Sequence, residues 1–165
     1  MITLKFGGTS MGNARRILDS SDIIIKRAEE DRLSVVVSAV AGVSNSLQAA
    51  IDASVTGTPS TKFTNELKGI HSEICSEIQS KLPGFSADKV MDKLNPYFEE
   101  IQKLLDGVAA FGECPDTIYC RIMGMGELMS SPIMEGVLLA KGQSVMLMDS
   151  RKFVFTTGNQ KEGEA

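Results

Sequence analysis

Polarity changes period several times along the chain, and each change marks an element. Ile2-Thr3-Leu4-Lys5-Phe6 alternates apolar with polar, the period of a strand. From about Asn13 to Asp31, Ile17, Leu18, Ile24, Ile25 and Ala28, with the small Ser21, fall at helical spacing along one buried stripe. Ser34-Val35-Val36-Val37-Ser38 is a β-branched run typical of a strand covered on both faces. Ala41-Gly42-Val43-Ser44-Asn45 then leads into a helix through Leu47, Ala50 and Ile51. The order β-α-β-α predicts an α/β fold with parallel strands, a right-handed crossover and helices packed on the sheet.

The texture changes after Val55. Val55-Thr56-Gly57-Thr58-Pro59-Ser60 reads as a loop, with Ser60 or Thr61 available as a helix cap. Phe63, Leu67, Ile70, Ile74, Ile78 and Leu82 keep helical spacing, and Pro83-Gly84 ends the run. A second helix is predicted from Asp88 to Val108, kinked or restarted at Pro96. Together they form a predicted helical hairpin, residues 58–110, inserted into the α/β core. Ile118, Ile122, Met129, Ile133, Val137 and Leu138 predict one more helix, interrupted at Pro132 and closed by Gly142. Ser144–Met148 returns to a strand pattern, Lys152–Phe155 is a candidate for another strand, and Thr156–Ala165 is polar.

Composition narrows the class. The chain's 165 residues suffice for one domain with a core, and 42% apolar with 23% charged residues is ordinary for a soluble globular protein. A net charge of -4 without a basic block argues against a nucleic-acid partner. No leader-like layout and no apolar run of ~20 residues is present, so a cytoplasmic protein with no membrane partner is expected. Cys75, Cys114 and Cys120 form no CxxC pair, and the single histidine, His71, is remote from two of them. Reduced thiols are therefore expected, and no metal site. His71, among Ile70, Ile74 and charged residues, reads as structural or solvated, and the nine methionines read as core filling.

Three segments carry candidate chemistry. Lys5-Phe6-Gly7-Gly8-Thr9-Ser10 falls at the carboxyl end of the first strand, where open α/β sheets bind ligands. Adjacent glycines allow close backbone approach, and free N–H groups there can form an anion-binding nest. The order is not that of a P-loop, because the lysine precedes the glycines. Phosphate binding and a plain tight turn both remain open on this spacing. The second segment, Ser38 to Asn45, ends the neighbouring strand; Ser38 could donate to an oxyanion, and Ser44 could donate to a substrate or cap its own helix. The third, Gly126-Glu127-Leu128-Met129-Ser130, sets a carboxylate between apolar residues and glycines.

In this order the segments "KFGGTS", "VVVSAVAGVSN", "GECPD" and "GMGELMSSPIMEGVLLAKG" resemble the aspartokinases of the amino acid kinase superfamily. The likeness runs from Ile2 to about Ser150, and is greatest to the N-terminal part of bifunctional aspartokinase–homoserine dehydrogenases. It implies a three-layer α/β/α sandwich with a mainly parallel sheet, residues 1–165 being an incomplete N-terminal part of the catalytic domain. The implied reaction moves the γ-phosphoryl of ATP, with Mg2+, to the β-carboxylate of L-aspartate. That carboxylate, with a free pKa of about 3.9, is ionised already and needs no general base. Positioning and electrostatic stabilisation then carry catalysis. By the resemblance Lys5 is the catalytic cation, and Lys5, Phe6, Gly7, Gly8, Thr9 and Ser38 surround the nucleotide. Ser44, where the family usually has threonine, would contact aspartate, and Glu127 would hold its α-ammonium. No protein ligand is implied for the metal.

Loops of the G-R-x-G-S-D and D-V-D-G-V-Y types, which in the family complete the nucleotide pocket, do not occur, nor do ACT regulatory domains. A fragment inactive alone is expected, with an unpaired sheet edge, self-association, and a homo-oligomer as the full-length state. Another amino acid kinase, or a non-catalytic α/β interaction module, are the alternative readings.

Overall fold

The computed structural model describes residues 1–155; the polar tail from Thr156 to Ala165 lies outside the described residues. Strand β1 (Ile2–Phe6) leads through a turn into helix α1 (Ala14–Ala28), and β2 (Leu33–Val37) returns alongside β1. The strands are parallel, in register from Ile2 opposite Leu33 to Phe6 opposite Val37. The Asn13 side chain caps α1, accepting from the Arg16 N–H at 3.0 Å. This is the predicted β-α-β unit.

The two faces of the sheet differ. Phe6 and Val37 are buried while Thr3 and Lys5 are exposed, and both α1 and α5 (Asp116–Ala140) pack against β2. Val36, the register partner of Lys5, is 46% exposed, so β2 is not covered on both faces. Residues paired across parallel strands share a face. Lys5 and Val36 therefore stand together on the open one.

Helix α2 (Val43–Val55) starts from Gly42, whose φ of +84° is a left-handed conformation that costs glycine little. No side chain caps it. Ser44 lies in its first turn, so the capping reading of Ser44 is corrected. Helix α3 (Thr61–Lys81) starts at Ser60, whose hydroxyl is drawn instead to Asp106 and Gln102 of α4 (Ala87–Phe111). Thr64 closes that cluster, its single hydroxyl proton within reach of Gln102 Oε1 at 2.8 Å and of the Ser60 carbonyl at 3.1 Å. Helices α3 and α4 pack on one another, and each also packs on α2. One hydrophobic core runs from Phe6 and Ile17 through Leu47, Leu67 and Leu105 to Met129 and Ile133.

Three expectations change. Pro96 and Pro132 lie inside unbroken helices rather than restarting them. Beside Pro132, the Ser131 hydroxyl donates to the Glu127 carbonyl at 2.8 Å, an extra bond in the turn where the proline removes a donor. Neither Ser144–Met148 nor Lys152–Phe155 forms a strand; Lys152 instead ends a 3₁₀ turn, Ser150–Lys152, capped by Asp149. A strand exists only by pairing, and among the described residues the sheet has two strands. His71 is fully buried: its Nδ1–H donates to the Leu67 carbonyl at 2.7 Å, and its ring meets Phe98 edge-on at 5.6 Å.

Candidate functional site

The turn after β1 is tied by its own backbone. Ser10 and Met11 donate to the Gly7 carbonyl at 2.9 and 3.2 Å, and Met11 also to the Gly8 carbonyl at 3.1 Å. Met11 and Ala14 are fully buried and anchor the turn to the core. Neither Gly7 nor Gly8 has a positive φ. A Cβ on Gly7 would meet nothing within 4 Å, and one on Gly8 would make an ordinary 3.5 Å contact with the Ala39 carbonyl. Conformation and internal packing therefore leave this glycine pair unexplained. What the pair supplies is open space over the turn, next to the Lys5 strand end.

The loop after β2 lies against it. Ser38 N–H donates to the Phe6 carbonyl at 2.9 Å, extending the ladder by one residue. A Cβ on Gly12 would come within 3.5 Å of Ala41 Cβ. Ala39, Val40 and Val43 are buried, so the second loop is held by its apolar side chains while Ser38 and Ser44 stay half-exposed.

Helix α5 closes on this loop from the other side. A Cβ on Gly126 would lie 2.8 Å from Ala39 Cβ, 3.6 Å from Val43 and 3.7 Å from Leu47. Only a residue without a side chain lets the helix approach so closely. Glu127 follows, exposed, and Ser44 follows Val43, so each polar candidate is one residue from a packed pair. One turn on, the fully buried Ser130 hydroxyl reaches the Ser38 carbonyl at 2.8 Å and the Glu127 carbonyl at 3.1 Å.

The structure thus gathers the Lys5–Thr9 turn, the Ser38–Ser44 loop and the Glu127 turn of α5 around one end of the sheet. Phe6 is the exception: its side chain is in the core and its carbonyl is taken by Ser38, so any contact it makes with a ligand is limited to its backbone. Sequence reasoning missed Gly126 and Ser130 as the contacts that dock α5. The signal was present, two small residues four apart on one helix face, but nothing in the sequence names the partner they pack against.

Two clefts lie away from these loops. A cleft of about 330 Å³ is lined by Thr64, Lys68, Phe98 and Gln102, and one of about 170 Å³ by Leu104, Phe111, Pro115 and Ile118. Neither includes a residue of the gathered loops. Among the described residues no three His, Cys, Asp or Glu side chains are grouped to hold a metal ion, and no helix is long and apolar enough to cross a membrane. None of the three cysteines is in a disulfide, and burial pushes the Cys75 thiol up to about 12, so it stays protonated.

No family model matches the chain. Curated relatives do. The chain is 30% identical over 162 residues to a bifunctional aspartokinase/homoserine dehydrogenase of Buchnera aphidicola, covering 96% of this chain and 20% of that protein. It is 28% identical over 156 residues to an aspartokinase of Chlamydia pneumoniae, covering 94% of this chain and 31% of the relative. The relatives that the chain matches are named aspartokinases and bifunctional aspartokinase/homoserine dehydrogenases. Its fold is that of aspartokinase III from E. coli: the structure with lysine and aspartate bound superposes with a TM-score of 0.80 at 21% identity, over 99% of this chain and 34% of that one. A second aspartokinase III structure, with aspartate and ADP, gives a TM-score of 0.77 at 23% identity. The chain therefore spans about a fifth to a third of the aspartokinase sequences and structures it matches.

Proposed function

We propose that this chain forms the amino-acid side of an aspartate kinase site, within the N-terminal part of a catalytic domain in which residues 58–110 are a helical insertion. The observation that carries the reading is the unexplained glycine pair beside Lys5, in a turn flanked by Ser38 and by the α5 turn of Glu127. Space kept open beside a cation and backbone N–H groups suits a phosphoryl group. A carboxylate close by suits an ammonium.

In this reading Lys5 offsets charge on the transferring phosphoryl group, and Gly7, Gly8 and Thr9 offer backbone donors to it with Ser38 beside them. Ser44 contacts the aspartate and Glu127 holds its α-ammonium, selecting an amino acid over a plain dicarboxylic acid. Mg2+ would arrive on the nucleotide, its charge neutralising phosphate oxygens. The adenine side of the pocket falls to parts of the enzyme that this chain does not match, consistent with a chain inactive alone. The proposed full-length enzyme is a cytoplasmic homo-oligomer serving amino acid biosynthesis.

Calorimetric titration with ADP–Mg2+ and with L-aspartate tests the proposal. Lys5 is exposed, so Lys5→Ala is expected to keep the fold and thermal midpoint while weakening nucleotide binding at least about tenfold. Unchanged nucleotide affinity in that variant would remove Lys5 from its role. Failure of the parent chain to bind L-aspartate would favour a non-catalytic α/β module.

A further inference from the structure

Of the three segments in the candidate site, the first is held by its own turn and the second by its strand. The third, Glu127, sits on a helix that reaches the loops from across the core. Its placement relative to Ser38 and Ser44 depends on whatever joins α5 to the loop between β2 and α2. Two contacts do so. Gly126 gives close approach to Ala39, which limits how near the helix can come. Ser130 gives the directional bond, with its hydroxyl 2.8 Å from the Ser38 carbonyl.

We infer that Ser130 is a positioning residue, a hydroxyl pin that sets the Glu127 turn against the Ser38–Ser44 loop and so fixes the spacing across which an amino acid is gripped. The inference rests on the aspartate reading for its ligand but not for its geometry. Ser130 is fully buried, its partner lies 92 positions earlier in the chain, and the accepting carbonyl belongs to a candidate site residue. A hydroxyl has one proton to donate. The shorter bond, to Ser38, is the tertiary one; the 3.1 Å approach to Glu127 is the helix-local alternative. Without the hydroxyl, the Ser38 carbonyl loses a buried partner and the loop gains freedom relative to α5. The glycine turn after β1 has its own backbone bonds and should not respond.

Ser131 supplies the matched control. Its hydroxyl also donates to the Glu127 carbonyl, at 2.8 Å, but links only residues of α5. Amide hydrogen exchange and calorimetry are to be compared in the parent chain, Ser130→Ala and Ser131→Ala. For Ser130→Ala, exchange of Ala39–Ser44 amides should rise about five- to tenfold, while α3 and α4 exchange as in the parent. Aspartate affinity should fall by about the same factor, with ADP affinity changed less than about twofold. Ser131→Ala should do neither.

Equal effects of the two variants, unchanged loop exchange in Ser130→Ala, or a rise spread evenly over α3 and α4 would each overturn the pin. A parent chain that ignores aspartate would overturn the aspartate reading, and the exchange comparison alone would then decide the pin.

Discussion

At the scale of single residues, His71 shows how burial fixes a side chain's protonation. Its imidazole is enclosed and its Nε2 has no hydrogen-bond partner, so the cation is disfavoured and the pKa is lowered; the Leu67 carbonyl, accepting from Nδ1, opposes this only in part. In the unfolded chain the histidine takes up its proton near its ordinary pKa of about 6.5, whereas folded His71 takes it up only at lower pH. The stability tied to neutral His71 is therefore whole above about pH 6.5 and is lost as pH falls below it. The urea midpoint should fall between pH 7.5 and 5.5, and His71→Leu should flatten that part of the slope. The Leu67 carbonyl keeps its helical N–H partner in that variant, so no orphan is created. A slope unchanged by the substitution would assign the pH dependence to carboxylates instead.

Glycines on α5 make the corresponding argument at the scale of an element. Gly124 and Gly126 look alike in sequence, yet a Cβ on Gly124 meets nothing within 4 Å while one on Gly126 lies 2.8 Å from Ala39 Cβ. Gly124→Ala should stabilise by about 0.5–1 kcal/mol, because glycine loses more freedom in a helix than alanine does. Gly126→Ala gains the same propensity but overpacks a rigid contact, at a cost of about 1–3 kcal/mol, for a net loss of about 1 kcal/mol. Opposite shifts in denaturation midpoint would bear this out; shifts of the same sign would refute it.

The contrast also marks what the sequence could say. Periodicity gave the five α-helices found among the described residues, since Phe63 to Leu82 and Leu94 to Val108 repeat a buried stripe that needs only neighbours to form. It left a restart at Pro96 open and set an interruption at Pro132, where both helices run through, because tertiary packing overrides a local penalty of about 3 kcal/mol. It also offered strands at Ser144–Met148 and Lys152–Phe155, where β pattern exists without a partner to pair with. Within the candidate site, Lys5, Ser38 and Ser44 were legible as polar residues at element ends, and Glu127 as a carboxylate set between glycines and apolar residues. The pin at Ser130 was not, because its meaning lies in a carbonyl 92 positions away.

For the whole molecule, apolar surface is the dominant fact left over. Val36 stands on the open sheet face, and Met146, Met148, Phe153 and Phe155 are exposed, Phe155 at 80%. Clustered apolar exposure and unpaired strand edges both favour association. Sedimentation velocity over a tenfold concentration range should show the average mass rising, with the rise reduced in Met146→Ser/Phe155→Ser. A monodisperse monomer with cooperative unfolding would contradict this.

The unbroken course of α5 has a mechanical consequence. Its 25 residues make a rod about 38 Å long, longer than any other single feature of the site requires. Near its middle the rod is docked at Gly126 and Ser130; two turns beyond Glu127, Glu135 is tied to Lys93 of α4 at 2.6 Å. At its far end Lys141 is tied to Asp22 of α1 at 2.6 Å. Nearer its start, Tyr119 donates to Gln48 of α2 at 2.6 Å and Arg121 pairs with Glu100 of α4, so a stiff beam tied along its length does not tilt at one tie alone. A displacement imposed at the Glu127 turn is thus carried as leverage toward both the helical pair and the first crossover.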